Sequence, residues 1–210
     1  LFLEVVRVLA AVSGKEGVMI KLKISDIQGY GDGERIRKCV KRLEAVLNSS
    51  EFKELVLAFE VKGKRKFKRS GGLNNAEVLD WLLHGDATSL VKGRHVAKLK
   101  LTLEWSPSGS CIGFVKAGRI HTYQSYFHEH GDSWMVAHLA HEYAHLAGFT
   151  HTFHWTASRK NTVPYAIGEL AFKAYHQIWP GEDSVTCAPS SFLTSFSRTW
   201  FGETLRYLFS

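Results

Sequence analysis

The chain has 210 residues, 45% of them hydrophobic and 22% charged, enough apolar material to bury a sizeable core. Lys and Arg exceed Asp and Glu by 27 to 20, a net charge of +7 that is compatible with anionic partners without requiring them. Three cysteines, Cys39, Cys111 and Cys187, with no CxxC pair exclude a dense disulfide scaffold and a cysteine zinc knuckle while leaving room for one bridge, and no apolar run approaches the length of a membrane span.

The opening "LFLEVVRVLAAVSG" has the outline of an export signal, but Glu4 and Arg7 interrupt its apolar stretch, so a first element of the domain is the reading kept. The compartment stays open, with a secreted or envelope-associated one slightly favoured. In "VMIKLKISDIQ", alternation through Met19, Ile20, Leu22, Ile24 and Ile27 predicts a strand closed by "GYGDG". A helix is expected next, with Ile36, Val40, Leu43 and Leu47 on one face and an end at Asn48 to Ser50. "ELVLAFEVKGKRKFKRSGG" predicts a strand, a turn near Gly63 and a short strand around Phe67. The tip of that hairpin is basic, and solvated charge explains it more simply than a grip on nucleic acid or an anionic polymer with Phe67 as a stacking group.

"NNAEVLDWLLHG" carries Asn caps and an apolar stripe through Val78, Leu79, Leu82 and Leu83, which predicts a short helix. "HVAKLKLTLEW" predicts a strand, and "CIGFVKAGRIHTYQSYF" one or two more, broken at Ala117 and Gly118. A helix from about Ser133 to Ala147 follows, with Asp132 or Ser133 as its cap. A last helix starts near Pro164 and buries Ile167, Leu170, Ala171, Ala174 and Ile178, and "WPG" stops it. Residues 181–210 show no period that ties them to the core.

"HEYAHLAGFTH", residues 141 to 151, ends the helix expected over 133–147. Residues four apart stack on one helix face, so His141 and His145 can offer two ring nitrogens to one ion at about 2.0–2.1 Å. Glu142 beside them is badly placed as a ligand and well placed to take a proton from water held by the metal. A catalytic zinc usually has three protein ligands. Gly148 permits a sharp left-handed turn after the helix, which would return His151 as the third. His154 fits that Gly-x-x-His spacing less well, and His138, one turn before His141, reads as a hydrogen-bonded histidine or a neighbour of the ligands.

The stretch matches HExxHxxGxxH at every specified position and so resembles the metzincin clan of zinc metallopeptidases. Short bacterial forms are similar beyond the motif, with "VPYAIG" and one last helix after a brief loop, and the likeness spans residues 18–180. The resemblance implies an α+β fold, a twisted mixed sheet packed on helices with the HExxH helix and a short C-terminal helical subdomain. It implies a zinc-dependent endopeptidase with His141, His145 and His151 on Zn2+, Glu142 as general base, and a protein or peptide substrate lying antiparallel along the edge of the strand at "GRIHTYQSYF". The clan's methionine turn has no counterpart, because Met19 and Met135 both precede His145; "NTVPYAIG" takes its place in chain order. Tyr165 there could pack under the imidazoles, ligate weakly or donate to an oxyanion, and plain packing of a tyrosine at a helix start is the simpler reading.

Other arrangements stay open. Glu169 would complete a His-His-Glu site of the thermolysin kind, and a metal-stabilised binding module without turnover would use the same histidines. His128, Glu129 and His130 could line a cleft or hold a second ion, and Cys111 lacks the surroundings of an inhibitory thiolate.

Overall fold

The computed structural model describes residues 19–29, 31–84, 90–91, 94–104, 112–123, 130–152, 156 and 158–182. Strand β1 (Met19–Gly29) leads through a turn into α1 (Gly33–Asn48) and α2 (Ser50–Ala58); α3 (Asn75–His84) precedes β2 (Leu90–Val91) and β3 (Arg94–Glu104). A hairpin of β4 (Gly113–Lys116) and β5 (Arg119–Tyr123) is followed by α4 (Asp132–Leu146), a short 3-10 turn at Arg159–Asn161 and α5 (Val163–Ile178). The order across the sheet is β1-β3-β5-β4, with β2 alongside β3. β1, β3 and β5 run parallel, and β4 runs antiparallel to β5. The fold is therefore mixed α and β with a mixed sheet, consistent with the α+β class that the resemblance implies.

Most elements follow from local chemistry. Asp32 caps α1 by accepting from the Arg35 amide at 2.9 Å, and Ile36, Val40, Leu43 and Leu47 are all buried on the face that the period predicts. Asn74 and Glu77 form a reciprocal capping box at the start of α3, the Asn74 side chain accepting from Glu77 N and the Glu77 carboxylate from Asn74 N. Ala117 and Gly118, both at positive φ, make the tight turn between β4 and β5.

Three expectations need correction. Residues 54–58 are not a strand but the end of α2: Ser49 caps the helix by accepting from the Phe52 amide, and Phe52 and Val56 four residues apart reach the core. An unbroken apolar run does not separate strand from helix by itself, and here the cap decided. The hairpin that follows shrinks to one bridge, Val61 with Lys64, around Lys62 and Gly63 at positive φ. Phe67 is no exposed stacking group, since it is 1% exposed and lies flat on Phe59 with ring centroids 4.4 Å apart.

The second correction concerns the sheet edge. β5, the "GRIHTY" strand, is hydrogen-bonded on both sides, so the edge belongs to β4. At the opposite edge, side chains of α1 occupy the β1 backbone: Asn48 accepts from Ile20 N and donates to Ile20 O, and Glu44 accepts from Leu22 N. That edge is blocked against a further strand. Third, α4 is capped by Gly131 rather than Asp132 or Ser133. Asp132 instead receives Arg35 at 2.8 Å and Lys38 at 2.9 Å, which ties the start of the motif helix to α1. Burial pushes its carboxyl pKa up, but the hydrogen bonds from Arg35 and Lys38 outweigh that and hold it below the usual range.

One core joins these layers. Ile20, Leu22, Leu99, Leu101 and Ile120 from the sheet meet Ile36, Val40 and Leu43 from α1, Val136, Leu139 and Ala140 from α4, and Ile167, Leu170 and Ala171 from α5. α4 and α5 approach closely because small residues face each other: a Cβ on Gly168 would lie 3.0 Å from the Ala137 carbonyl oxygen. That approach sets the floor of the candidate site. Among the described residues no helix is long and apolar enough to cross a membrane.

Candidate metal centre

The last turns of α4 and the chain just beyond it carry the site. The helix ends in a Schellman arrangement, with Phe149 N bonded to Ala144 O and Gly148 N to His145 O, both at 3.0 Å. This closure needs a left-handed residue, and Gly148 supplies it at φ 92°. Phe149 then tucks into the core at 6% exposure and the chain doubles back.

That turn brings His151 to the helix. One ring nitrogen of each of His141, His145 and His151 lies within 4.8 Å of the other two. The ring centroids are 5.0 Å apart for 141 and 145, 5.4 Å for 141 and 151, and 4.7 Å for 145 and 151. His145 Nε2 and His151 Nε2 face each other at 3.1 Å, close to the roughly 3.3 Å that two nitrogens about 2.0–2.1 Å from one tetrahedral ion would show.

The donor chemistry tests whether a cation fits. His145 Nδ1 lies 2.8 Å from the Phe149 carbonyl oxygen and must carry the hydrogen there, which leaves Nε2 with its lone pair. His151 Nδ1 lies 3.2 Å from Thr152 O and 3.3 Å from Arg159 Nη2. The carbonyl calls for Nδ1–H and the guanidinium, a donor only, calls for the other tautomer. A cation at Nε2 selects the first. Without a cation the second tautomer lets His151 Nε2–H donate to His145 Nε2 across the 3.1 Å gap; with a cation between them both Nε2 lone pairs face the ion.

Protonation state agrees. Burial drives His141 well below the usual 6.5, with the charges of His145 and His151 adding to it. Burial and the Arg159 charge bring His151 down to about 3, and burial also lowers His145. All three are neutral at pH 7, the form in which imidazole binds a metal.

Glu142 lies on the same helix, fully buried, and is not one of the clustered donors. Among the described residues neither carboxylate oxygen has a hydrogen-bond partner, and His138 Nδ1 stands 3.7 Å from Oε1. Desolvation raises the Glu142 pKa to about 8 and lowers that of His138 to about 3. His138 Nε2 in turn lies 3.1 Å from Thr122 Oγ1 on β5, and Gly113 makes room for its ring. His138 is thus a buried histidine between sheet and carboxylate, one turn from the cluster.

Tyr165 reaches the site from the first turn of α5, which Pro164 starts. Its ring packs against His141 at 4.6 Å, nearly perpendicular, and against His151 at 4.9 Å. It occupies the place under the imidazoles. Arg159, whose guanidinium lies over the Tyr165 ring at 4.9 Å, had no signal in the sequence, because its approach depends on the 3-10 turn that precedes α5.

Other candidates fall away or lie elsewhere. The Glu169 carboxylate is held by Lys173 one turn on, at 2.6 Å, and does not join the cluster. His130 packs its ring edgewise on Trp134. His128, Glu129, Cys111, Cys187, His154, the opening stretch and residues 183–210 lie outside the described residues. Cys39 is buried as a free thiol, its pKa pushed up to about 12 by burial and by Asp132. No family model, no curated protein and no solved structure matches the chain.

Proposed function

We propose that the chain is a zinc-dependent endopeptidase of the metzincin kind, with His141, His145 and His151 holding the ion and Glu142 as general base. The observation that carries this reading is the convergence of three neutral imidazole nitrogens within 4.8 Å, two of them on a helix that also buries a carboxylate one residue from His141. A structural site gains nothing from that carboxylate, whereas hydrolysis requires it. The order of strand, helix, strands, motif helix and final helix supports the same likeness.

A zinc ion held there would supply a Lewis acid for a peptide carbonyl and acidify a water molecule. Glu142 takes the proton as water attacks the carbonyl carbon and returns it to the leaving amine. Burial without a cation raises its pKa to about 8, and a zinc ion beside it would lower that value and keep the carboxylate ionised, the form a general base needs. Tyr165 holds the His141 and His151 rings from beneath, the task a methionine turn has in the clan. The extended substrate adds to β4, the edge that no side chain of α1 covers, rather than to the interior strand β5.

The test is metal analysis of purified wild type beside His151→Ala, followed by a casein digest with and without chelator. One zinc per wild-type chain, loss of zinc in the variant and chelator-sensitive cleavage are expected. Chelator-resistant cleavage, or undiminished zinc in the variant, would refute the assignment.

A further inference from the structure

Residues 62–69, "KGKRKFKR", contain six cations and no acid. All six, Lys62, Lys64, Arg65, Lys66, Lys68 and Arg69, are exposed, and among the described residues none belongs to an ion pair. Like charges at this density repel, and a chain free to move would spread them. Here the backbone is pinned instead. Phe67 is anchored on Phe59, Val61 and Lys64 close the turn, and the Ser70 hydroxyl donates to Leu73 O at 2.7 Å.

The pinned loop is attached to the metal centre. Lys68 N donates to Asn161 O at 2.8 Å, and Lys68 forms a parallel bridge with Thr162. Thr162 caps the helix that carries Tyr165, and Asn161 ends the turn that carries Arg159 beside His151. One extended polymer lying at the centre can therefore also lie along the cationic loop.

We infer that this loop is a subsite of the proposed peptidase and selects peptide substrates with an acidic segment beside the scissile bond. The inference rests on the peptidase reading for its catalytic half. Two features favour a peptide over other polyanions. Phe67, the one ring in the run, is buried, so no exposed aromatic is offered for stacking bases. The exposed large hydrophobic residues among those described, Met19 and Trp81, lie outside the loop, so it brings no apolar wedge for an anionic bilayer.

The experiment uses the full chain loaded with zinc, a fluorescent peptide carrying four glutamates beside a cleavable sequence, and the same peptide with glutamines. Binding is read by anisotropy in Glu142→Gln protein, and kcat/KM in active protein. Wild-type loops should favour the acidic peptide about tenfold, with the preference shrinking as salt rises. Lys64→Gln, Arg65→Gln and Lys66→Gln combined should remove the preference and leave the glutamine peptide unchanged; these side chains are exposed, so folding is not at issue. Equal affinity for the two peptides, or a preference that survives the triple substitution, overturns the inference, as does tighter binding of a single-stranded oligonucleotide of equal charge. The binding arm needs no turnover: absence of cleavage with either peptide defeats the peptidase reading, while equal binding of the two defeats this one.

Discussion

Helices α1 and α4 have nearly the same length, 16 and 15 residues, and opposite characters. α1 buries six residues on one face and keeps its charges off that face, where Arg35, Lys38 and Glu44 tie it to α4 and β1, the pattern of a helix whose task is packing. α4 buries thirteen of its fifteen, and these include His138, His141 and Glu142, each fully buried. Buried polar groups normally find partners, and a helix that keeps two histidines and a carboxylate in its interior carries an energetic burden that packing does not explain. The contrast separates a helix built for packing from one whose buried polar groups the proposed metal chemistry would account for.

The sharpest way to probe that contrast is to remove the chemistry while keeping the shape. Glu142→Gln should lower kcat/KM by about 10²–10⁴-fold with zinc content unchanged, measured by peptide hydrolysis and metal analysis on the same preparation. An active variant would leave Glu142 as a packing residue. On the α1 side, Leu43→Ala should cost about 2–5 kcal/mol in urea unfolding while the folded fraction keeps its zinc affinity. Loss of affinity without loss of stability would reverse the roles assigned to the two helices.

Gly168→Val falls between these. Its side chain would press on the Ala137 carbonyl and on the His141 Cβ, so about 1–3 kcal/mol of stability should go together with weaker zinc binding. Stability against pH gives a subtler separation. His138, His141 and His151 stay neutral in the folded chain far below the usual 6.5, so the unfolded chain alone gains protons as pH falls below that value. Glu142 behaves in the opposite sense: its folded pKa of about 8 means that between 4.5 and 8 only the unfolded chain loses this proton, and stability falls as pH rises through that window. Chelator-treated protein should therefore be most stable near pH 6.5 by thermal melting, and saturating zinc should flatten the profile. The smallest effect belongs to Tyr165→Phe. A ring that supports the imidazoles leaves kcat/KM within about threefold, far from the roughly 10²–10³ lost with an oxyanion donor.

Much of α1 and of the site was legible in the sequence, for reasons that differ. The face of α1 follows from the spacing of Ile36, Val40, Leu43 and Leu47, and the histidine cluster from His141, His145, Gly148 and His151, because both are local patterns with one geometric solution. What escaped depends on partners distant in the chain. The edge strand was misplaced because pairing of β5 with β3, 19 residues away, leaves no local mark. Residues 54–58 were misread because an apolar run fits both periods. Arg159 and His138 acquire their neighbours only when α5 and the sheet close on α4.

The central claim is most directly tested by X-ray absorption at the zinc edge of the purified protein. Three imidazole nitrogens at about 2.0–2.1 Å and one further light ligand are expected, with one nitrogen fewer in His151→Ala to which zinc has been restored at high concentration. A spectrum with four protein ligands, or one that His151→Ala leaves unaltered, would contradict the account.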